Sequence, residues 1–261
     1  DDATGSTAAE FNTINSATSV AINASAVTAL SGTASDVATL MSAATDTNQF
    51  TATSFDSVAA NGLSITGTAI DVTDLNNALN RTNTVSDNTV LATFASSQSG
   101  ITVSGGDDTE FDALLALEGT KVNITGLNLT VDSGTVSVTQ ANNLTATTSG
   151  TVTATLTSGA VNDLTDLSED TDDNAALSIT ITDNSASAAD LNTINAATTQ
   201  AVDATAITTI SSSTLGAIST LGGAITGGDF AATNAIATIN VSGDAIDYTL
   251  LGSEIDRFDN F

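Results

Sequence analysis

The chain of 261 residues contains no cysteine, no histidine and no proline. Without cysteine, neither a disulfide nor a thiolate metal site can form. Without histidine, a Ser-His-Asp catalytic triad cannot be built. Because no nucleophile is grouped with a base, and most acids stand where helix capping explains them, we expect that the protein is not an enzyme.

Basic residues are almost as scarce. Arg81, Lys121 and Arg257 stand against 30 acidic residues, which gives a net charge of −27. Nucleic-acid binding needs basic residues that neutralise phosphate, and anionic membrane surfaces also attract basic segments, so both partners are excluded. No apolar run approaches the roughly 18–20 residues that a transmembrane helix requires, so no membrane insertion is expected.

Large side chains are few: eight Phe, one Tyr and no Trp. The chain is nevertheless 41% hydrophobic, which is not typical of disorder. Ala, Val, Ile and Leu supply most of this content, so the core must be built from small and branched side chains. The sequence starts at Asp1-Asp2 with no initiator Met and no signal peptide, as expected of a mature or excised piece.

A stretch near the start recurs late in the chain. Residues 11–34 match residues 191–214 without a gap, so that Asn12-Thr13-Ile14-Asn15 returns as Asn192-Thr193-Ile194-Asn195. Such self-similarity indicates a repeat architecture, in which each unit contacts mainly its neighbours. We therefore expect one continuous array over residues 1–261, of roughly nine strand–helix units, with a weak division near residues 100–135.

A helix-capping motif defines these units. A Ser, Thr or Asp that caps the helix is followed three positions later by an acid in the first turn, and then by apolar residues three apart. Full versions are predicted at Thr7-Glu10, Thr33-Asp36, Asp107-Glu110, Ser187-Asp190 and Asp244-Asp247. Relaxed versions are predicted at Asp71-Asp74, Gly159 with Asp163, Ser211-Thr214 and Thr139 with Asn143.

Short runs that alternate Val or Ile with Thr or Ser precede most caps and predict strands with one buried face. They are residues 26–30, 63–66, 101–103, 136–139, 152–156, 177–181, 206–210 and 237–241. Helices of about two turns are expected because Gly or Ser/Thr/Asn clusters follow each one. The fold class predicted is mainly β with short helices, a right-handed repeat solenoid of parallel strands with short capped helices at its corners.

The phrases LNTINAATTQAVDATAITTIS (residues 191–211) and AVTALSGTASDVATLM (residues 26–41) resemble repeats of giant extracellular, S-layer-like surface proteins of marine cyanobacteria and other aquatic bacteria. The resemblance covers the first forty residues and residues 177–221, and the middle only through the capping motif. It implies an extracellular structural or adhesive role at the cell surface, and it carries no catalytic residue.

Acidic clusters at residues 107–112 and 163–173 raise the alternative of a calcium site, since Ca²⁺ takes six to eight oxygen ligands. Neither cluster matches an EF-hand loop, and a solvated acidic loop explains both more simply than a specific site. Calcium is the only cofactor that the sequence favours. The candidate ligands are Asp170, Asp172 and Asp173.

The function predicted is structural: a secreted protein that builds a cell-surface layer, sheath or filament by end-to-end self-association into a homopolymer or lattice. The alternative is an adhesin stalk or binding module that recognises a surface, a cell-surface polysaccharide or other glycan, or ice. Scarce aromatic residues offer little for sugar stacking. An ice-binding plane would need a regular threonine row in every unit, whereas threonines alternate only at Thr151, Thr153, Thr155 and Thr157 and again at Thr180 and Thr182.

Overall fold

A computed structural model describes residues 6–58, 61–80, 92–168, 173–231, 236–243 and residue 252. Its helices are α1 (Ala8–Ala17), α2 (Ala34–Ala43), α3 (Val72–Asn80), α4 (Asp108–Leu115), α5 (Val138–Thr147), α6 (Val161–Leu164), α7 (Ala188–Asn195), α8 (Leu215–Gly227) and a 3₁₀ turn at Gln98–Gly100. Its strands are β1 (Ser6–Thr7), β2 (Leu30–Thr33), β3 (Leu63–Thr66), β4 (Ala69–Asp71), β5 (Ala92–Phe94), β6 (Thr102–Gly106), β7 (Asn128–Val131), β8 (Val152–Thr155), β9 (Ala175–Ser178), β10 (Ser185–Ser187), β11 (Val202–Asp203), β12 (Thr209–Thr214), β13 (Phe230–Ala231) and β14 (Thr238–Ser242).

The chain divides into two compact units. The first comprises residues 1–133 and 147–150, and the second comprises residues 134–146 and 151–261. In the first unit β1, β2, β3 and β5 form one parallel sheet, and β4, β6 and β7 pair in that order. In the second unit β8 pairs with β9, β10 with β12 and β14, and β11 with β13, again in parallel.

The predicted mainly-β solenoid is wrong. The described residues form a mixed α/β structure with eight α-helices and several parallel sheets, the class that contains Rossmann-like folds. The longest described strand, β12, has 6 residues, whereas α8 has 13 and α1, α2 and α5 have 10 each. The error lies in the weight given to the helices, because every described α-helix except α6 is longer than any described strand.

The helix lengths agree only in part with the two turns predicted: α4 and α7 have 8 residues each, whereas α1, α2 and α5 have 10. Threonines inside the helices do not end them. In α1 the Thr13 hydroxyl donates to the carbonyl of Ala9, and in α7 Thr193 donates to Ala189. A hydroxyl that bonds the carbonyl four residues earlier is satisfied inside the helix and leaves the helical ladder intact.

The four full capping motifs within the described residues are confirmed. Thr7, Thr33, Asp107 and Ser187 each accept a hydrogen bond from the backbone N–H three residues later. Around α1 and α4 the glutamate also accepts from the N–H of the capping residue, which completes a reciprocal capping box. The fifth motif, Asp244-Asp247, lies outside the described residues.

The relaxed motifs were less accurate. Asp71 does accept from the N–H of Asp74 at the start of α3, as predicted. However, α8 is capped by Thr214 rather than Ser211, and α5 is capped by Ser137 rather than Thr139. Ser137 and Gln140 form a capping box with an amide in place of the acid, so a search for acids alone missed it.

The core is built from small and branched side chains, as expected. On β8, Val152 and Ala154 are buried, whereas Thr153 and Thr155 are exposed. The first unit adds an aromatic cluster in which Phe55 contacts Phe11 and Phe50 at ring-centroid distances of 5.1 and 5.4 Å. Phe55 is buried with a positive φ of 67°, so its packing holds a backbone conformation that side chains usually avoid.

Candidate functional site

The predicted calcium ligands do not form a site that the structure can describe. Asp170 and Asp172 lie outside the described residues, and Asp173 is an exposed residue with φ of 53°. Among the residues that are described, no group of three or more acidic side chains is arranged to hold a metal ion. Calcium binding by this segment stays a prediction.

Acids at helix starts are engaged by the helices that they begin. The backbone N–H and the hydroxyl of Thr7 donate to Glu10 and hold the pKa of Glu10 below its usual range. Hydrogen bonding with the Glu110 side chain and the N–H of Thr109 likewise lowers the pKa of Asp107. Both are solvated carboxylates that cap helices, and their shifts run opposite to the raised pKa of a catalytic acid.

An open cavity lies beside α2 and α3 in the first unit and has a volume of about 860 Å³. Ser42, Thr45, Gln49, Asp74 and Asn77 are among its polar lining residues. No aromatic or basic side chain belongs to the described lining, so the cavity offers hydrogen bonds to a ligand without a stacking surface or a cation.

The threonine row on β8 does not continue onto the neighbouring strand. Thr153 pairs with Ala176 and Thr155 pairs with Ser178 of β9. The exposed surface of these two strands is therefore not a flat threonine plane of the kind considered for ice binding. Among the described helices none is long and apolar enough to cross a membrane.

Four asparagines link helices in pairs, and we call these contacts the asparagine clamps. In each clamp the side-chain N–H of an asparagine five residues after a helix cap donates to a backbone carbonyl at or just after the next helix. The clamps are Asn12 to Asp36 (2.9 Å), Asn76 to Glu110 (2.8 Å), Asn142 to Asp166 (2.9 Å) and Asn192 to Ala217 (3.0 Å). They tie α1 to α2, α3 to α4, α5 to the segment after α6, and α7 to α8.

Sequence reasoning missed the clamps although a signal was present. The asparagine is always the third residue of an acid or amide, apolar, asparagine triplet: Glu10-Phe11-Asn12, Asp74-Leu75-Asn76, Gln140-Ala141-Asn142 and Asp190-Leu191-Asn192. The side-chain oxygens of Asn12, Asn76 and Asn192 are buried without a partner in the described structure. These three clamps therefore bind one side of the amide and leave the other side unsatisfied, whereas the Asn142 oxygen accepts from the N–H of Ser168 at 2.9 Å.

A second recurrent contact joins the residues after a helix to backbone carbonyls in or just before a strand, and we call it the threonine clasp. The Thr198 hydroxyl, just after α7, donates to the Leu177 carbonyl of β9 at 2.7 Å, and the next N–H, of Thr199, donates to the Ala175 carbonyl at 2.8 Å. In the first unit Thr148 donates to the Leu127 carbonyl at 2.6 Å and the N–H of Ser149 donates to the Thr125 carbonyl at 2.8 Å, both in the turn that precedes β7.

The α1 copy of this device has no strand among the described residues. Thr18 and Ser19 occupy the positions of Thr198 and Thr199, but their described contacts include no bond to a strand carbonyl, and the Thr18 hydroxyl accepts only from the N–H of Val20. We call the surface formed by Ile14, Ala17, Thr18, Ser19 and Val20 the α1 face.

The α1 face is exposed where its repeat counterpart is buried. Ile14 is 51% exposed, whereas the equivalent Ile194 is 0% exposed; Ala17 is exposed, whereas Ala197 is 1% exposed. The difference follows from the neighbours, because α7 packs against α6 as well as α8, while the main contacts of α1 are with β1, β2 and α2. Val20, at 72% exposed, adds a further apolar side chain to the same surface.

Comparison with protein-family models, curated proteins and solved structures found no match to this chain.

Proposed function

We propose that the protein is an extracellular structural protein that builds a cell-surface layer, sheath or filament by self-association. The observation that carries the proposal is the α1 face. Ile14 and Ala17 are exposed there, whereas their repeat counterparts Ile194 and Ala197 are buried. Exposed apolar side chains mark contact sites when they are grouped, and Ile14 and Ala17 lie one turn apart on α1.

The composition supports the same role. A chain with net charge −27 and three basic residues stays dissolved until salt or cations screen it, which suits a secreted subunit that assembles after export. Glu10 and Asp107, whose pKa values are lowered, belong to helix caps, and the hydroxyl groups of Thr7, Thr33 and Ser187 that donate to carboxylates are themselves capping groups. A structural role is consistent with the contacts between helices and strands that recur along the chain.

Assembly of the purified full-length chain tests the proposal. Sedimentation velocity and negative-stain electron microscopy, over a wide concentration range in high sodium chloride and with calcium, are expected to show growing assemblies with a repeating contact. A strict monomer under all of these conditions would contradict the proposed function.

A binding module is the second candidate, and the polar cavity beside α2 and α3 is the observation that favours it. Its lining of hydroxyl and amide groups matches the hydrogen-bonding groups of a polysaccharide. Binding of the chain to a glycan array, lost when Ser42→Trp fills the cavity, would favour this candidate over a purely structural role.

A further inference from the structure

Asn61 stands in the turn that leads into β3, and the next residue is a glycine. Residues 61 and 62 form the single Asn-Gly pair in the chain. Asn61 is exposed and has a positive φ of 57°, a left-handed conformation that asparagine tolerates better than most residues do. The pair therefore lies at the surface in a turn, outside the helices and strands.

The two groups that can react in this pair are not held by hydrogen bonds. Neither the side-chain amide of Asn61 nor the N–H of Gly62 bonds to any of the described residues. The clamp asparagines differ, since the amide of Asn192, for example, is fixed to the carbonyl of Ala217 at 3.0 Å. The amide carbon of Asn61 is thus free to approach the main-chain nitrogen of Gly62 when the side chain rotates.

The reaction open to this pair is an intramolecular attack on the amide. The Gly62 nitrogen bonds to the side-chain carbonyl carbon of Asn61, the bond from that carbon to the amide nitrogen breaks, and the amide nitrogen leaves as ammonia with the Gly62 proton. Water then opens the resulting succinimide ring at either carbonyl and gives aspartate or isoaspartate. Glycine favours the attack because it has no Cβ to crowd the nitrogen.

We propose that Asn61-Gly62 is a site of spontaneous modification, at which deamidation and isoaspartate formation limit how long the sheet of β1, β2, β3 and β5 keeps its structure. The proposal does not depend on the proposed function. A structural protein that persists outside the cell gives such a slow reaction the time that it needs.

The place of the pair in the fold makes this modification matter for the sheet. The Gly62 carbonyl accepts from the N–H of Leu30 at 2.8 Å, and the next residue, Leu63, pairs with Leu30 where β3 begins. Strand β3 lies between β2 and β5, and its residues Leu63 and Ile65 are 3% and 0% exposed. Isoaspartate adds a carbon to the main chain directly before Gly62, which strains the register of β3 with β2. The midpoint of thermal unfolding is therefore expected to fall as isoaspartate forms.

Ageing of the purified full-length chain in mildly alkaline buffer tests the proposal. Cleavage after acidic residues releases residues 57–71 and residues 184–190, and each of these peptides contains a single asparagine. Asn184 is the internal control, because it is also exposed and directly precedes a strand but is followed by Ser185. Mass spectrometry is expected to show conversion of Asn61 to the acid at least about tenfold faster than that of Asn184, which corresponds to a barrier lower by about 1.4 kcal/mol. A protease that cleaves before aspartate but not before isoaspartate distinguishes the two products.

Two substitutions separate this reaction from other effects of ageing. Asn61→Gln keeps an amide but must close a larger ring, and Gly62→Ala places a Cβ beside the attacking nitrogen. Both are expected to suppress the conversion and to keep the unfolding midpoint of the aged protein at its initial value, while the midpoint of the aged parent chain falls. Circular dichroism checks that each variant is folded, and if one variant does not fold, the other decides.

The same chain unfolded in urea is the positive control, since nothing restrains Asn61 there. Conversion in urea without conversion in the folded chain would overturn the proposal, because the turn would then protect the pair. Conversion of Asn184 as fast as that of Asn61 would also contradict it, since the glycine would then have no role. If the folded chain is converted but its unfolding midpoint does not change, the effect on β3 is wrong.

Discussion

Asn76 is the clamp residue most fully enclosed by the fold, with 6% of its surface exposed and its side-chain N–H bonded to the Glu110 carbonyl. Its side-chain oxygen has no partner among the described residues. The amide thus contributes one hydrogen bond between α3 and α4 while an acceptor stays unsatisfied beside it. A buried hydrogen bond of this kind contributes about 1 kcal/mol net to stability.

Asn76→Ala is expected to lower the free energy of unfolding by about 1–2 kcal/mol, because the bond to α4 is lost and a small void is left. Asn77→Ala is the matched control, since Asn77 is the next residue in α3 and is exposed. Urea denaturation followed by circular dichroism measures both. Equal effects of the two substitutions would show that the clamp adds nothing beyond helix propensity.

At the scale of the element, local signals predicted the helix starts but only some of the lengths, and not the partners. Thr33 and Ser187 were identified because a cap depends on residues within one turn. The 8 residues of α7 agree with the two turns predicted, whereas α1 runs to 10 because Thr13 bonds backward within the helix and does not end it. The class of the fold was wrong because the helices are longer than most of the strands between them.

The clamps and the clasps could not be predicted without knowing which elements are neighbours. Each one joins residues about 21–34 positions apart, and its acceptor is a backbone carbonyl that leaves no mark in the sequence. The donors could have been recognised in the sequence, because each one is the last residue of the repeated triplet, as Asn12 and Asn192 are. The α1 face likewise became visible only when the exposure of Ile14 could be set against that of Ile194.

The capping box of α1 is expected to make part of the stability depend on pH. Hydrogen bonds from Thr7 hold the pKa of Glu10 below its ordinary value of 4.5. A carboxyl whose pKa is lower in the folded state stabilises the fold above that ordinary value, and the contribution is lost as the pH falls through the folded pKa. Glu10→Gln keeps an acceptor for the Thr7 N–H but cannot titrate.

Urea denaturation of the parent chain and of Glu10→Gln, at neutral pH and at successively lower pH below 4.5, measures this contribution. The difference in unfolding free energy between the two proteins should shrink as the pH falls. Comparing the pair removes the general effect of neutralising the other acids, which acts on both alike. A difference that stays constant through the acid range would contradict a titrating role for Glu10.

For the whole molecule, 30 acidic residues against three basic ones mean that repulsion opposes the compact state. Raising sodium chloride is therefore expected to raise the midpoint of thermal unfolding. If residues 163–173 bind calcium, millimolar calcium raises the midpoint further than sodium chloride at equal ionic strength, since an ion bound only to the folded state stabilises it by mass action.

The variant that replaces Asp170, Asp172 and Asp173 with Asn is expected to lose this extra effect of calcium and to keep the response to sodium. Differential scanning calorimetry with chelator, calcium and matched sodium chloride makes the comparison. If sodium restores stability as fully as calcium does, the segment is a screened acidic loop and the predicted ligands are wrong.

In each asparagine clamp, substitution is restricted at the donor residue much more than at the acceptor residue. The donor must be an asparagine, but the acceptor is a main-chain oxygen that every amino acid supplies, and the four acceptor residues are already Asp36, Glu110, Asp166 and Ala217. Neutral substitutions can therefore change the residues that accept these hydrogen bonds, while the donor asparagines stay the same. Related chains could therefore keep the same helix pairs with one fixed asparagine per pair, even when almost all other sequence similarity is lost.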